Sequence, residues 1–564
     1  MQSSNNRSPA EVVKESSGHL RGTVIEELAL PAPNFNKQTV QILKFHGIYQ
    51  QSDRDARKAG DGYEYSSMVR VGIPGGVLST GQYLALDRMA DEAGDGGLRI
   101  TARQDIQYHH VGKTNLPALI QSLNRNLLTT LAACGDVVRN VTCCPAPLPG
   151  VRGEMQAYAR ALSRRLKPKT RAYYEIWLNG EKSAAAEPAG DEEPLYGAAY
   201  LPRKFKIGFA PPGDNCIDVY TNDLGIVPVL SGGSITGFTL LAGGGLGMSP
   251  GVKTTHPRLA SPICTVTPDL VERAAEAAVT IHRDYGNREN RKLARLKYVL
   301  EDWGVDRFRS ELEARVGTSL ADPQPLHWEN EHDHLGWHAE GPDAWFLGLH
   351  IPSGRIRDAG DAPVRTALRD IIAQYQPGVR LTPQQNILLT GIRGRDRAGI
   401  EAALRSFRTP LPARLLPIVR DSLACPALPT CGLAITEAER VLPDLLGQIQ
   451  ASLEAACLAR ETVIIRVTGC PNGCARPYTA EIGIVGQSVG MYALYLGASH
   501  LGTRLGFLFA ENVRTHEIGL ALLPVFEKFH RERFSGERFG DFCHRIGRDS
   551  VRAVREAPYA EVAG

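Results

Sequence analysis

No run of about 18 apolar residues occurs anywhere in this 564-residue chain, so nothing in it predicts a membrane-spanning helix. The charge is nearly balanced. There are 64 Lys and Arg against 61 Asp and Glu, and the resulting +3 is too little for a general nucleic-acid footprint. Any basic patch must therefore be local. At 43% hydrophobic and 22% charged, the composition excludes wholesale disorder, and the length predicts three or four domains of roughly 150 residues. The opening stretch, MQSSNNRSPAEVVKESSGHL, lacks the apolar core a secretion signal needs. We expect a cytoplasmic protein in which residues 1–18 form a disordered tail. Cysteine is sparse, with eleven residues. In a reducing compartment, clustered cysteines point to metal sites before disulfides.

A dinucleotide-binding motif is missing as well. The glycine run LAGGGLGMSPG (241–251) places Met248 where glycine or alanine should stand, and Pro250 and Gly251 follow where a helix should open. It reads either as a loop that lets a flat ligand approach the backbone or as a tight turn.

What the chain does have is an internal repeat. VRVGIPGG…GLRITARQDIQYHHV (69–111) and LGLHIPSG…GVRLTPQQNILLTGI (347–392) each read strand, Ile-Pro-x-Gly turn, amphipathic helix, strand. A Cys-bearing stretch follows each copy, RNVTCCPAP at 139–147 and SLACPALPTC at 422–431. LPRKFKIGFA (201–210) and CARPYTAEIGIVG (474–486) then lead into apolar, glycine-punctuated strands. The pattern predicts an α+β chain duplicated as A-B-A′-B′, its matched loops surrounding one central crevice. Val40–Phe45 reads as a strand and the small-residue, acidic stretch 183–194 as a solvated loop.

Cys425-x5-Cys431 and Cys470-x3-Cys474 supply four thiolates. These suit either a zinc ion or an iron–sulfur cluster, and the wide five-residue gap favours the larger cluster. Pro426 and Pro471, directly after two of the cysteines, stiffen the loops. Cys143 and Cys144 are adjacent and form no ligand pair by themselves. Cys134, Cys216, Cys264, Cys457 and Cys543 read as small buried hydrophobes.

Several cations occupy positions that strands would make. Arg70 precedes the Ile73-Pro74 turn, and Arg99 and Arg103 alternate with Ile100 and Ala102. Arg139 precedes the Cys143-Cys144 pair, and Lys204 and Lys206 flank Phe205. Singly each suits a solvated face; together they suit a small oxyanion or a polycarboxylate cofactor. Residues 276–304 read as one basic helix carrying Arg288, Arg291, Lys292, Arg295 and Lys297. Its basic side is either solvated or turned to cofactor carboxylates.

Cys425-x5-Cys431…Cys470-Pro-Asn-Gly-Cys474 resembles the cluster motif of the sulfite and nitrite reductases that contain sirohaem. FHGIYQQSDRDAR, RVGIPGG, RITARQ, RNVTC, YLPRKFKIGF and RDYGNR extend the resemblance from about Leu20 to about Gly540. It implies an N-terminal extension (1–60), ferredoxin-like half-domains at 61–130 and 341–413, and sirohaem-type α/β domains at 131–340 and 414–564. It further implies a [4Fe–4S] cluster on Cys425, Cys431, Cys470 and Cys474, with Cys474 shared with the sirohaem iron. Arg70, Arg139, Lys204 and Lys206 would hold substrate. Arg99, Thr101, Arg103 and Gln107 would contact sirohaem or order its surroundings, and Asn472 would shape the loop beneath it. Ala102, Gly72 and Cys144 depart from the family pattern.

The implied reaction is the six-electron reduction of sulfite to sulfide, with ferredoxin-dependent nitrite reduction as the alternative. NADPH would act only through a diflavin (FAD/FMN) partner docked on residues 1–60. A zinc-stabilised, non-catalytic binding protein is the rival from a different class.

Overall fold

The computed structural model describes residues 7–60, 64–170, 177–178, 181–182, 193–331 and 333–560. The two repeats fold alike. In the first, Ile48–Ser52, Tyr65–Val71, Ile106–Val111 and Leu98–Ile100 form an antiparallel sheet covered by helix Thr80–Ala93. That helix starts at Ser79 because the Ser79 hydroxyl accepts from Gln82 N while the Gln82 amide oxygen accepts from Ser79 N. In the second, Gly336–Ala339, Ala344–Leu349, Ile387–Arg393 and Gly378–Leu381 pair in the same order, beneath helix Val364–Tyr375.

Each half lends the other a strand. Val77–Leu78 pairs with Gly378–Leu381, and Arg355–Ile356 pairs with Leu98–Ile100. The exchange depends on the Ile-Pro-x-Gly turns. Gly76 has φ +72, and a Cβ there would stand 2.5 Å from Leu381 O; Gly354 meets Ile100 O in the same way. The two half-domains therefore share one core, from Val69 and Leu86 to Leu349 and Leu389.

The two remaining domains repeat one another strand by strand. Thr142–Cys143, Ile207–Phe209 and Leu224–Ser231 run parallel, and Ser234–Ala242 and Ser261–Val266 continue antiparallel. Ser422–Ala424, Ile465–Thr468, Ile482–Ser488, Met491–Leu496 and Phe507–Arg514 do the same. Backbone pairing fixes the correspondence. Cys144 N donates to Phe209 O (3.2 Å) as Cys425 N donates to Val467 O (3.1 Å). Counting on from Phe209 and Val467, residues 206–218 match 464–476, so the sequence-based pairing of 201–210 with 474–486 is out of register. Asp218 and Arg476 become equivalents. Both have positive φ, 51° and 59°, and both start a short 3-10 turn. They also meet: Arg476 Nε lies 2.8 Å from Asp218 Oδ2, and Arg466 Nη1 lies 2.8 Å from the same oxygen. Equivalent residues in contact mark the pseudo-two-fold axis.

Several expectations fail locally. Residues 37–43 form a helix, not a strand: the Asn36 side chain accepts from Gln38 N and Thr39 N, and Thr39, Ile42 and Leu43 bury one face. Residues 1–6 of the expected tail lie outside the described residues, and from Pro9 onward it is not free. Pro9–Glu15 is helical, Lys14 donates to Leu201 O (2.7 Å), and Glu11 pairs with Lys14 and Arg288. The basic helix is really two, Val271–Tyr285 and Leu296–Val316: the backbone turns extended at Gly286, where a Cβ would press on His282 O and Pro202. Its cations mostly answer the chain's own groups: Arg291 pairs with Asp136 and Arg295 with Asp223, while Lys297 donates to Gly245 O and Gly247 O. Arg103 lies beyond the Leu98–Ile100 strand, in a turn where Gln104 has φ +57. Of the acidic loop, 183–192 lies outside the described residues, and Glu193 is buried, accepting from Lys169 N and Thr170 N. No described helix is long and apolar enough to cross a membrane.

Candidate active site

Strand Ile465–Thr468 delivers the chain into the loop Gly469–Arg476. Gly469 is required there because a Cβ would enter Thr436 O and Ala427 Cβ, and Gly473 turns the chain with φ +63. Ile435 N and Thr436 N both donate to Gly469 O, clasping the Cys425–Cys431 loop to the Cys470–Cys474 loop. The glycine run at 243–248 closes over the other side. It opens no helix; Met248 N donates to Pro471 O (2.9 Å), and Gly247 packs on Asn472 O. Its residues therefore serve close backbone approach, to the cysteine loop itself.

Three of the four predicted cysteines are covered. Cys425 and Cys470 are buried and Cys431 is half-buried, whereas Cys474 is exposed between residues that are largely buried. Gly469 N donates to Cys425 Sγ (3.4 Å), and the Asn472 side chain donates to Cys470 Sγ (3.4 Å). Backbone N–H groups of Leu433 and Ala434 face Cys431. Burial first, and then the charge of Cys474, push all three covered thiols up, Cys470 to about 11. A cationic core reverses that penalty by taking the sulfurs as thiolates. Among the described residues, no three of these cysteines bring their sulfurs within 4.8 Å of one another, as one zinc ion would require. The donor set fits a wider cluster.

Two cations reach the exposed sulfur, and two more lie close to them. Arg70 and Lys204 both lie within electrostatic reach of Cys474. Arg70 stands opposite Gln107 across the sheet. With its amide oxygen turned inward, Gln107 accepts from Arg70 Nη2 at 2.6 Å and Nε at 3.2 Å. Arg139 donates from Nε to Gly135 O (2.7 Å) and from Nη1 to Ala133 O (3.3 Å), so its guanidinium is aimed by backbone. Lys204 and Lys206 flank buried Phe205. Among the described residues, none of these four cations has a carboxylate within ion-pairing distance. Burial, then Arg203 and Arg295, bring Lys204 down to about 7. Burial, Lys204 and Arg295 hold Lys206 well below the ordinary lysine range. Crowded cations with no carboxylate at ion-pairing distance among the described residues fit a polycarboxylate macrocycle and a small oxyanion beside Cys474.

The other predicted residues hold this crevice together. Arg99 donates to Ala424 O (2.9 Å), next to Cys425, and to Glu439 (3.2 Å). Arg103 donates to Asn222 Oδ1 (2.6 Å), Ile207 O (2.9 Å) and Asn140 O, leaving a buried Nε with no partner. Thr101 Oγ1 accepts from Arg103 N and Asp105 N. Of the five cysteines read as plain core, Cys457 is exposed at the end of helix Leu442–Ala455, where its backbone turns to φ +60. Sequence reading missed Asp105, which burial lifts to about 7 against the pull of Arg70 and Arg103. It also missed the Arg295–Asp223 pair (2.8 Å), whose partners lie too far apart in sequence to signal each other.

Comparison with known proteins follows this geometry. The family model for the ferredoxin-like half domain of nitrite/sulfite reductases matches residues 57–126 and 338–407, and that for the nitrite and sulphite reductase 4Fe-4S domain matches 158–320. A sulfite reductase [NADPH] hemoprotein beta-component from Myxococcus xanthus is 44% identical over 563 residues, covering 98% of each chain. The chain belongs to the nitrite and sulfite reductase family. Another family member, the hemoprotein beta-component of Geobacillus kaustophilus, is 43% identical over 96% of each chain. A sulfite reductase [ferredoxin] of Synechococcus elongatus is 41% identical over 99% of this chain and 92% of its own. The solved NirA protein of Mycobacterium tuberculosis superposes with a TM-score of 0.79 at 25% identity, over 96% of this chain and 97% of its own. The 4Fe-4S match covers the first of the two related domains, which carries Cys216, and not the one that carries Cys425–Cys474.

Proposed function

We propose that this chain reduces sulfite to sulfide at a [4Fe–4S] cluster held by Cys425, Cys431, Cys470 and Cys474, with Cys474 shared with the iron of a sirohaem. One observation carries the reading: the only exposed sulfur of the four lies within electrostatic reach of Arg70 and Lys204, neither of which has a carboxylate at ion-pairing distance among the described residues. When bound, the coupled centre supplies single electrons to the substrate.

The protein's residues do the rest. Sulfite, six electrons and seven protons give hydrosulfide and three waters, so charge and protons must both be managed. Arg70 and Arg139, fixed by Gln107 and by backbone carbonyls, hold the oxygens and offset their charge. Lys204, near 7, gives a proton as an S–O bond opens and water departs. Lys206 lies beside it, held well below the ordinary lysine range by burial and Lys204, and serves as the second donor. Arginine does not give up its proton at these pH values, so the two lysines are the donors.

Electrons come from a separate protein, a diflavin NADPH-oxidising component, as the relatives' "beta-component" naming supports; the Synechococcus relative favours ferredoxin as the second possibility. The N-terminal segment offers a contact near the cluster, because Arg54 donates to Ala434 O (2.7 Å) and Gly432 O (3.2 Å) beside Cys431. Steady-state assays with sulfite and nitrite, each driven by reduced flavoprotein or reduced ferredoxin, test both assignments. The reading requires a higher kcat/KM for sulfite and turnover with the flavoprotein. A preference for nitrite overturns the substrate assignment.

A further inference from the structure

The duplication gives the cluster loop a counterpart on the other side of the pseudo-two-fold axis. Through the register set by Phe209 and Val467, Cys144 corresponds to Cys425 and Cys216 to Cys474, while Pro212 takes the place of Cys470. The counterpart is not inert core. Cys144, Asp214, Cys216 and the half-buried His334 bring one ligand atom each within 4.8 Å of one another, the only such group of three or more among the described residues.

The separations match one small ion. Cys144 Sγ lies 3.6 Å from His334 Nε2 and 3.9 Å from Asp214 Oδ2, and His334 Nε2 lies 3.2 Å from Asp214 Oδ2. A tetrahedral zinc with bonds of about 2.0–2.3 Å sets its ligands roughly 3.3–3.8 Å apart. Charge also closes. Two thiolates and one carboxylate around a divalent ion leave one negative charge. Arg152 matches it, with Nη1 donating to Cys144 Sγ (2.7 Å) and to Asp214 Oδ2 (2.9 Å). A route in exists, since Arg152, Asp214 and His334 line a cavity of about 560 Å3.

We propose that Cys144, Cys216, His334 and Asp214 form a second, mononuclear metal site for a divalent ion of the zinc class, occupying the duplicated counterpart of the cluster loop. Binding displaces the protons that the ligand set holds, taking both cysteines as thiolates and His334 as the neutral imidazole, and leaves the oxidation states unchanged. The ion would fasten three segments: the strand end at Cys144, the 213–216 loop, and the 333–335 segment that leads into the second half-domain. The inference does not depend on the reaction assigned above.

The test uses the holoprotein, incubated with zinc and desalted. Elemental analysis should find one zinc per chain besides the iron, and zinc-edge X-ray absorption should find two sulfur ligands at about 2.3 Å with two lighter ones at about 2.0–2.1 Å. Cys216→Ser and His334→Ala should lower zinc to roughly a tenth with iron unchanged, and Cys457→Ser should keep both. If the variants do not fold, the wild-type absorption measurement still decides. Wild type without zinc, a shell of only nitrogen and oxygen, or a Cys144–Cys216 disulfide in non-reducing peptide maps each overturns the proposal.

Discussion

Lys204 should impose a pH limit on sulfite reduction that an arginine in its place removes. Burial and the neighbouring Arg203 and Arg295 bring this ammonium to about 7, against an ordinary lysine near 10.5. Below 7 it is charged and ready to donate. Above 7 its protonated fraction falls roughly tenfold per pH unit, and kcat/KM, which reports the free enzyme, should fall with it. Sulfite in the crevice adds negative charge beside Lys204 and raises its pKa, so the limb in kcat should sit at higher pH than the limb in kcat/KM. Lys204→Arg stays charged throughout and keeps the electrostatics without a usable proton. Its kcat should fall by about 100-fold, the lower range for a lost general acid, or about 2.7 kcal/mol. Sulfite itself changes protonation near neutrality, so the assay compares the two proteins across pH 6 to 9 with one chemical reductant. The wild-type fall must be steeper than the variant's. Equal steepness with an unchanged kcat would refute the role of Lys204 and the electrostatic reasoning behind it.

Asp218→Asn removes the carboxylate that two buried guanidinium groups, Arg466 and Arg476, both contact on the pseudo-two-fold axis. Uncompensated buried charge costs about 3–5 kcal/mol, which should appear as a lower denaturation midpoint in guanidinium chloride. Gly76→Ala and Gly354→Ala each force a Cβ onto a carbonyl of the opposite half at positive φ. Each should cost at least about 1–3 kcal/mol by the same measurement, and a smaller loss would speak against the strand exchange. Stability should also fall in acid through Asp136. Lys14, Arg291 and Arg203 hold its carboxyl below the usual range despite burial. Its contribution is complete above the unfolded value near 3.9 and disappears as pH drops through the lower folded value. Asp136→Asn should therefore flatten the acid limb of the unfolding curve.

The duplication was readable because Ile-Pro-x-Gly keeps its residues wherever the backbone demands them: Gly76 and Gly354 meet carbonyls that only glycine tolerates. The short spacings within Cys425–Cys431 and Cys470–Cys474 marked two loops, and these do meet, through Gly469 O. Long-range pairing was not. Cys216 read as core because its companions, Cys144 and His334, lie 72 and 118 residues away in the sequence. Asp218 and Arg476 carry no local sign that they meet. Helix 37–43 was misread because Val40 and Ile42 alternate like a strand, whereas the Asn36 cap and the buried Thr39, Ile42 and Leu43 decide otherwise. Arg99 and Arg103 looked like one strand face because a turn at Gln104 leaves no trace in the apolar alternation.

The sharing of Cys474 between a cluster and a haem iron is tested most directly by the iron and acid-labile sulfide content of the purified protein, read together with its visible spectrum. The account requires five irons and four sulfides per chain with haem bands in wild type, and loss of the haem bands in Cys474→Ser. A colourless wild-type protein, or a variant that keeps the wild-type spectrum, would contradict it.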